Sequence, residues 1–232
     1  MREIVFDTET TGLDPAKGDR IVEIGCVELE NLIPSGQIFH VYINPERDMP
    51  AEAERVHGLS SEFLKDKPVF ADVAEEFIRF IGDDSRLVAH NAGFDFNFIN
   101  MELKRLGRPP LAPERIVDTL ALARRKNPGG RNSLDDLCSR YGIDNSRRTK
   151  HGALLDSEIL AEVYAELLGG RQASLGLTDD MTAAAFRFGE RQPAKQRLVP
   201  LPSRLSEEDL VAHAAFIATL GGEVVWLEYR EG

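Results

Sequence analysis

The amino-acid sequence predicts an α/β fold, a mixed five-stranded sheet flanked by helices and followed by a flexible C-terminal tail. Three observations carry this prediction. Apolar, β-branched runs separated by turn residues open the chain, helix and strand patterns then alternate, and the composition shifts to prolines and charges after residue 170. Successive strands followed by alternating elements are typical of a mixed sheet with helices packed on its faces.

Three apolar runs near the start, at residues 2–7, 20–28 and 37–43, are separated by glycine, proline and asparagine. Short β-branched runs between such turn-forming residues are typical of strands. Strands that follow one another closely along the chain usually lie side by side in the sheet. We therefore expect these three to form an antiparallel meander.

Helical patterns begin after Pro68. Between Phe70 and Ile81 the apolar residues recur at three- and four-residue spacing, and Gly82 follows the last of them. This is the pattern of an amphipathic helix that ends at a glycine. Further helices are predicted at residues 94–106, from residue 119, at 133–141 and at 153–168. Short strands are predicted between these helices at residues 86–90 and 115–118.

The tail after residue 170 has a different character. Residues 178–202 contain three prolines, several charges and little periodic apolar content, which is typical of a linker. Ser206 and Asp209 then resemble the capping box of a helix, and residues 224–227 resemble a strand. One helix and one strand bury too little surface to be stable alone, so this segment is expected to dock on the main domain or on a partner. The predicted boundaries are a folded domain at 1–170, a short peptide at 171–177, a linker at 178–204 and a docking segment at 205–232.

Composition restricts the classes of function. The chain has 232 residues and a formal net charge of −11. A protein that grips many phosphates of duplex DNA is basic overall, so a tight, free-standing duplex binder is not expected. An acidic chain is compatible with carboxylates that bind metal and with an enzyme that contacts only the end of a strand.

Hydropathy and cysteine content point to a cytoplasmic protein. No apolar stretch approaches the roughly 20 residues of a membrane span, and the first residues lack the apolar region of a secretory signal. Cys26 and Cys138 are far apart and have no His or Cys at ligand spacing, which disfavours a disulfide framework and a zinc site. Both are expected to be small core residues.

Asp7 and Glu9 stand two residues apart at the end of the first apolar run. The alternation of a strand directs both carboxylates to one face, where like charges repel unless a cation lies between them. A strand that ends in solvent at Gly12 would explain the pair equally well.

Asp95 and Asp156 each lie within the apolar stripe of a predicted helix, because apolar residues follow each of them at three and four positions. Such positions are buried, and a buried charge is costly unless it is paired. The alternative for either residue alone is a first-turn acid that the helix dipole stabilises.

Four carboxylates without a cluster of Cys or His favour Mg²⁺ or Mn²⁺ over zinc. Such acids can hold two cations about 3.5–4 Å apart, which stabilise the attacking and leaving oxygens when a phosphodiester is transferred to water. His151 precedes the last helix of the domain in a glycine-containing loop. An imidazole exchanges its proton near neutral pH, which suits a general base for the attacking water. A solvated loop histidine is the alternative interpretation.

Three blocks contain these five residues: FDTETTG at 6–12, HNAGFD at 90–95 and HGALLD at 151–156. In residue type, order and spacing they resemble the three exonuclease motifs of the DEDDh 3′–5′ exonucleases, which have a ribonuclease H-like fold. The resemblance implies two bound divalent cations, Mg²⁺ or Mn²⁺. It also implies catalytic roles for all five residues, with His151 as the general base. The metal ligands that it implies are Asp7, Glu9, Asp95 and Asp156.

The likeness extends along nearly the whole chain to proofreading members of this family that work with bacterial replicative DNA polymerases, with further matching blocks at residues 56–59, 131–135 and 141–146. It implies a 3′–5′ exodeoxyribonuclease that acts on the 3′ end of single-stranded or frayed primer DNA, releases nucleoside 5′-monophosphates and works near the nucleoid within the replisome. The residues that it implies for binding the terminal nucleotide are Thr10, Thr11, Leu13, His57 and Phe94. Turn formation by the two threonines and core packing by Phe94 are the alternatives, whereas His40 and His90 are expected to be structural.

The tail fits the same resemblance. Residues 171–177 resemble the peptide by which polymerase subunits bind the sliding clamp, with Ala173 in place of a larger apolar residue, so weak affinity is expected. Residues 205–232, which include the only tryptophan, Trp226, resemble the segment that docks on the polymerase subunit, and tryptophan often anchors interfaces. A plain linker and packing back on the domain are the alternatives. The residues expected to contact the clamp are Gln172, Ser174, Leu175 and Leu177.

Two competing functions remain open at this stage. A ribonuclease of the same family that trims RNA ends would have no obvious use for a clamp peptide. A catalytically idle scaffold between clamp and polymerase predicts that ligand residues are lost, yet all five positions are occupied. The neighbouring basic residues Arg147, Arg148 and Lys150 are explained equally by contact with strand phosphates and by solvation.

Overall fold

The structure of the protein, a computed structural model, describes residues 1–148, 150–169 and 205–219. Its strands are β1 (Arg2–Thr10), β2 (Ile21–Glu30), β3 (Ile33–Tyr42), β4 (Arg86–Ala89) and β5 (Ile116–Asp118). Within the described ranges they form a five-stranded sheet in the order β3-β2-β1-β4-β5. The first three strands pair antiparallel, β4 runs parallel to β1, and β5 runs parallel to β4. The predicted mixed sheet and its antiparallel meander are therefore confirmed.

The helices of the described residues are α1 (Ala51–His57), α2 (Ser61–Leu64), α3 (Phe70–Ile81), α4 (Gly93–Arg105), α5 (Thr119–Lys126), α6 (Leu134–Tyr141), α7 (Ala153–Leu167) and α8 (Glu207–Thr219). Helix α3 has the predicted bounds, and the ends of α4, α6 and α7 differ from the prediction by one residue at most. The sequence analysis does not predict α1 and α2, because their few apolar residues do not repeat at helical spacing.

The sheet has a hydrophobic core on each face, because successive residues of β1 point to opposite sides. Ile4 and Phe6 pack with side chains of α3 and α4, among them Phe77 and Phe98. Val5 belongs to the other core, which α6 and α7 cover. Strand β1 is therefore buried on both faces, and helices of both layers reach it.

Helix α7 lies directly on the sheet at Gly25 of β2. A Cβ at this position would overlap the backbone of Ala153 and Leu154, so the helix can start this close to the strand only over a glycine. Ser157 Oγ also donates a hydrogen bond to the Gly25 carbonyl at 2.9 Å. Because Gly25 pairs with Asp7 in the sheet register, this contact sets the first turn of α7 close to Asp7.

Helix α4 is tied to the start of β2 by a buried ion pair. Arg20 donates from Nε to Glu102 Oε1 at 2.6 Å and from Nη2 to Oε2 at 3.1 Å, and Glu102 is 2% exposed. The backbone of Arg20 also bonds to Thr11, whose amide donates to the Arg20 carbonyl at 2.9 Å. The ion pair thereby fixes α4 relative to the turn that follows β1.

Cys26 and Cys138 are buried and unpaired, which confirms the expectation of small core residues. Within the described parts of the chain, no helix has the length and apolarity needed to cross a membrane.

Helix α8 belongs to a second unit of the chain and starts with the predicted capping box. The Ser206 amide donates to Asp209 Oδ2 at 3.0 Å, and the Asp209 amide donates to Ser206 Oγ at 3.2 Å. Three large apolar side chains of α8 are more than half exposed, namely Leu210, Val211 and Phe216. The predicted peptide at 171–177, the linker at 178–204 and residues 220–232 of the docking segment lie outside the described residues.

Candidate active site

Asp7 and Glu9 lie in the C-terminal half of β1 on one face of the sheet, as their spacing predicts. Asp7 is half-buried and Glu9 is 8% exposed. The register of β1 against β2 shifts between Glu9 and Thr10, and such a bulge bends the end of a strand. Among the described residues, Oε1 of Glu9 is buried without a hydrogen-bond partner.

Asp95 reaches the same strand from the opposite layer. It lies in the first turn of α4 and is 3% exposed. Its Oδ1 accepts two hydrogen bonds from Thr8, one from the amide at 3.0 Å and one from the hydroxyl at 2.6 Å. The chain turns from β4 into α4 at Asn91, which has a left-handed φ of 65° and donates its amide to Asp118 Oδ1 at 3.1 Å.

Asp156 and His151 come from the start of α7 and the loop before it. Asp156 is 3% exposed, whereas the His151 side chain is 50% exposed. One ligand atom each of Glu9, His151 and Asp156 lies within 4.8 Å of the other two. His151 Nδ1 is 3.3 Å from Asp156 Oδ2. Three of the five predicted catalytic residues are therefore near one another at ligand spacing.

Electrostatic repulsion links the remaining two acids, Asp7 and Asp95, to Glu9 and Asp156. Burial, followed by repulsion from Asp95, Glu9 and Asp156, holds the pKa of Asp7 well above its usual range. Burial and then repulsion, first from Glu23, raise the pKa of Glu9 to about 8. Burial raises the pKa of Asp95 to about 7. The four predicted ligands therefore form one cluster of mutually repelling carboxylates.

This acid cluster, defined as Asp7, Glu9, Asp95 and Asp156, fits divalent cations. All its donor atoms are carboxylate oxygens, which Mg²⁺ and Mn²⁺ prefer. A cation between the carboxylates would relieve the repulsion that adds to burial in raising the pKa values of Asp7 and Glu9. The buried Glu9 Oε1, which lacks a hydrogen-bond partner among the described residues, is an oxygen available for such an ion.

Arg148 contacts this cluster, although the sequence analysis does not assign it there. Its side chain is 9% exposed and donates from Nε to Asp156 Oδ1 at 2.5 Å and from Nη2 to Oδ2 at 2.9 Å. Burial opposes ionisation of Asp156, but hydrogen bonds from His151 and Arg148 outweigh it and lower the pKa of this acid. Solvation, one of the two interpretations of the basic residues, is therefore wrong for Arg148. Only its position eight residues before Asp156 could have suggested the contact, because the loop has no periodic pattern.

The five residues expected to bind the terminal nucleotide line one cavity of about 330 Å³. These residues are Thr10, Thr11, Leu13, His57 and Phe94. Glu9 also lines this cavity, so the cavity adjoins the acid cluster. Leu13 is 84% exposed at its edge, and the ring of Phe94 packs on Phe98 with centroids 5.0 Å apart.

Helix α1 forms one wall of the nucleotide cavity. It contributes Ala53, Val56 and His57, of which the sequence analysis identified only the histidine. His57 is buried, and its Nδ1 accepts a hydrogen bond from the Leu59 amide at 3.0 Å. Burial lowers the pKa of His57, so the ring is held neutral with its proton on Nε2. This Nε2 has no hydrogen-bond partner among the described residues, which leaves a donor for a ligand.

The contacts of His90 and His40 support the structural roles that are expected of them. His90 lies with Nδ1 2.9 Å from Thr119 Oγ1 and Nε2 2.9 Å from the Asn132 carbonyl. His40 Nε2 lies 2.7 Å from Glu23 Oε1. The tail residues that are expected to bind partners lie outside the described residues, namely Gln172, Ser174, Leu175, Leu177 and Trp226.

A mixed sheet with an acid cluster beside a nucleotide-sized cavity defines the class of metal-dependent exonucleases. Residues 4–164 match the model of the family described as Exonuclease, RNase_T. The chain is 49% identical to the DNA polymerase III subunit epsilon of Rickettsia prowazekii, covering 94% of this chain and 96% of the relative. It is 44% identical to the subunit of the same name from Escherichia coli, covering 97% of both. The protein therefore belongs to the exonuclease family and, within it, to the DNA polymerase III epsilon subunits.

Two solved structures of exonucleases are similar to this chain in fold. A structure described as Exonuclease X in complex with 5′ overhanging duplex DNA is 26% identical, with a TM-score of 0.56 over 75% of this chain and 93% of that one. The nuclease domain of 3′hExo, described as a DEDDh family member bound to rAMP, has a TM-score of 0.60 over 73% of this chain and 92% of that one. At 19% identity, the second likeness concerns the fold alone. The predicted fold class is confirmed.

Proposed function

We propose that the protein is the proofreading 3′–5′ exodeoxyribonuclease of DNA polymerase III, its epsilon subunit, which hydrolyses the 3′-terminal phosphodiester and releases nucleoside 5′-monophosphates. One observation carries this proposal: Glu9 belongs both to the acid cluster and to the wall of the nucleotide cavity. A nucleotide that fills the cavity would therefore place its phosphate against the carboxylates. This is the arrangement that hydrolysis of a terminal nucleotide requires.

The four carboxylates would hold two divalent cations, Mg²⁺ or Mn²⁺. When bound, such cations supply charge stabilisation to the attacking and leaving oxygens. The protein orients these ligands from three directions, because β1 supplies two of them and α4 and α7 supply one each. Fixed ligands avoid a cost of reorganisation during the reaction.

His151 is the proposed general base, which takes a proton from the attacking water at a ring nitrogen. Its half-exposed side chain leaves room for water, and its Nδ1 lies 3.3 Å from Asp156 Oδ2. A carboxylate at this distance stabilises the imidazolium that forms when the proton arrives. Gly152, which follows His151, has no side chain to hinder the approach of the ring to the substrate.

The cavity would take the terminal nucleoside. Backbone groups near Thr10 and Thr11 would receive it, and the rings of Phe94 and His57 with the exposed Leu13 would border its base and sugar. A mismatched primer end frays more readily than a paired one, so single strand reaches the cavity more often when the last base is wrong. Unpairing thereby supplies the selectivity for errors.

The tail would attach the enzyme to the replisome, in the bacterial cytoplasm at the nucleoid. In this proposal residues 171–177 bind the sliding clamp through Gln172, Ser174, Leu175 and Leu177, and residues 205–232 bind the polymerase alpha subunit with Trp226 as an anchor. The exposed apolar side chains of α8 support the second contact, because a partner could bury them. A tether keeps the site near the primer end at up to about millimolar effective concentration. An acidic protein can therefore work on DNA without high intrinsic affinity.

The decisive experiment is a hydrolysis assay on a primer with a mismatched 3′ end, followed with Mg²⁺, with Mn²⁺ and with a chelator. We expect stepwise release of nucleoside 5′-monophosphates that the chelator abolishes. Asp7→Ala should remove activity because the cation pair loses a shared ligand, and His151→Ala should keep metal binding but lose rate. Cleavage that persists in chelator, or a parent-like rate for His151→Ala at neutral pH, would contradict the mechanism.

A second experiment tests the tail. A chain that ends at residue 204 should hydrolyse single-stranded DNA at the parent rate, because the acid cluster and the cavity lie in residues 1–169. It should no longer co-elute with the polymerase alpha subunit. Continued co-elution would disprove the docking role of residues 205–232.

A preference for RNA over DNA 3′ ends in the hydrolysis assay would instead favour a ribonuclease of the same family that trims RNA ends.

A further inference from the structure

Arg148 contacts the acid cluster at Asp156. Its guanidinium bonds to both oxygens of Asp156, at 2.5 Å and 2.9 Å, with only 9% of the side chain exposed. Paired bonds of this kind between Arg and a carboxylate are strong and directional. Both Asp156 oxygens are therefore engaged by a positive group that comes from the protein itself.

The same guanidinium reaches the proposed base. Nη2 of Arg148 lies 2.8 Å from His151 Nδ1. Arginine can only donate, so this contact is a hydrogen bond when Nδ1 of the neutral ring carries its lone pair, whereas the other tautomer donates from Nδ1 to Asp156 Oδ2 at 3.3 Å. Arg148 and Asp156 therefore both contact the ring nitrogen of His151 that faces the acid cluster.

Arg148 also has a second anchor outside the acid cluster. Its Nη1 donates to both oxygens of Asp135, at 2.9 Å and 3.0 Å. The Asp135 side chain is 59% exposed, and Asn145 donates to it at 2.9 Å. The guanidinium can therefore leave Asp156 and His151 while it keeps one carboxylate partner.

We propose that Arg148 is an internal counter-cation that exchanges with the divalent cations. In the metal-free protein it neutralises the acid cluster and contacts Nδ1 of the base. When metal binds, it gives up Asp156 and His151 and remains on Asp135. A single side chain thereby links the release of a metal ligand to the release of the base. This inference rests on the metal site of the proposed function.

The alternative is an ordinary ion pair that only holds the loop before α7 in place. An ordinary pair and an exchanging one differ in their effect on metal affinity. If Arg148 competes with metal, its removal must strengthen metal binding, because the metal no longer displaces two charge-assisted bonds. If Arg148 only supports the loop, its removal weakens binding or leaves it unchanged.

The test is a calorimetric titration of the full chain with MnCl₂. We expect Arg148→Gln to lower the dissociation constant about tenfold relative to the parent chain. The matched control is Arg147→Gln, which removes the same charge one residue away. Arg147 is 69% exposed and lies 3.7 Å from Glu158, and a screened charge of this kind should change the affinity less than about twofold.

Asp135→Asn should act in the opposite direction. Without its second anchor, Arg148 would be left unpaired when metal displaces it, so the dissociation constant should rise about threefold. Glu158→Gln is the control, because it removes a negative charge near the site without a contact to Arg148. Its effect should stay below about twofold.

Thermal unfolding of the same variants provides an independent measurement. In chelator, Arg148→Gln should melt lower than Arg147→Gln because the acid cluster loses its counter-charge, and Mn²⁺ should raise its melting temperature more than that of the parent. If Arg148→Gln does not fold, Arg148→Lys keeps the charge without the forked geometry and should bind Mn²⁺ about threefold more tightly than the parent.

Equal dissociation constants for Arg148→Gln and Arg147→Gln, or weaker binding by Arg148→Gln, would overturn the proposal while the metal site itself stands. If only Arg148→Lys folds, a dissociation constant equal to that of Arg147→Gln, or weaker binding, would overturn the proposal in the same way. A parent chain that binds no Mn²⁺ would overturn the metal site and this exchange together.

Discussion

Thr8 fixes the carboxylate of Asp95 through two hydrogen bonds to a single oxygen, Oδ1, at 3.0 Å and 2.6 Å. One of the donors is the main-chain amide of β1, the strand that carries Asp7 and Glu9. The orientation of a proposed ligand on α4 is therefore set by the backbone that supplies two other ligands. A shift of β1 would move three of the four acids together.

The hydroxyl of Thr8 should matter for catalysis. Thr8→Val keeps the shape of the side chain but removes one bond to a buried carboxylate, a loss of about 1.5–3 kcal/mol. We expect kcat on single-stranded DNA to fall at least about tenfold at saturating Mg²⁺. Thr8→Ser restores the donor and should keep most of the activity. An equal loss in the Ser variant would show that the hydroxyl is not the reason.

Gly25 should be needed for the placement of Asp156. Gly25→Ala would force the start of α7 off the sheet, because the new methyl group overlaps the backbone of Ala153 and Leu154. We expect a loss of about 1–3 kcal/mol in the free energy of unfolding and a marked fall in kcat. Gly152→Ala, which adds a methyl group in open space, should change the free energy of unfolding by no more than about 0.5 kcal/mol. Denaturant unfolding and the hydrolysis assay measure both. Parent-like behaviour of Gly25→Ala would contradict the close packing.

The metal-free protein should lose stability as the pH rises from about 5 to about 8. Glu9 has a pKa of about 8 in place of 4.5, and Asp95 of about 7 in place of 3.8. Between these limits the folded state binds more protons than the unfolded state, so the stability present at low pH is lost as these groups ionise. The lowered pKa of Asp156 leaves it ionised in both states over this range.

Urea unfolding in chelator at several pH values measures this effect. The free energy of unfolding should fall by a few kcal/mol between pH 5 and pH 8. Glu9→Gln removes one of the ionisations with a raised pKa and should reduce the loss of stability while raising the stability at the alkaline end. An unchanged loss of stability in this variant would show that Glu9 is not the group responsible.

Filling the nucleotide cavity should weaken substrate binding without disturbing the metal site. Ala53 lies in the wall of the cavity that α1 forms, so Ala53→Trp would occupy the space of the base. We expect KM for single-stranded DNA to rise at least about tenfold, since a lost apolar contact surface of this size is worth more than 1.4 kcal/mol. Mn²⁺ affinity should stay at the parent value. Ala51→Trp, on the same helix but outside the cavity lining, should leave KM within about twofold.

The sequence was sufficient to predict the parts of the fold that have a periodic pattern. Helix α3 shows its stripe of apolar residues, and its bounds are as predicted. Helices α1 and α2 have no such stripe. Phe63 of α2 packs on Tyr42 of β3 with ring centroids 5.0 Å apart, and the Val56 carbonyl of α1 accepts a hydrogen bond from the His151 amide at 3.3 Å. Sequence spacing also grouped Asp7 with Glu9, because a strand directs alternate residues to one face.

The contact between Arg148 and Asp156 could not be predicted in this way. Arg148 lies in a loop without periodicity, and its direction depends on how α7 sits over Gly25. The close approach of α7 to Gly25 could not be predicted either. A glycine within a strand pattern indicates that another part of the protein packs closely there, but it does not indicate which part. Motifs therefore identified the four acids of the cluster, whereas the group that balances their charge required the three-dimensional arrangement.

The central position of β1 has a consequence for folding. Asp7 and Glu9 point to one side of the sheet, and Phe6 points to the other. A one-residue slip of β1 against β2 would exchange these sides and bury the two carboxylates in the core that contains Phe77 and Phe98. A misregistered molecule would lose its native core and its metal ligands in the same event. Molecules that are folded but inactive through this error should therefore not accumulate. A cell that degrades unstable molecules of this protein also removes those without exonuclease activity.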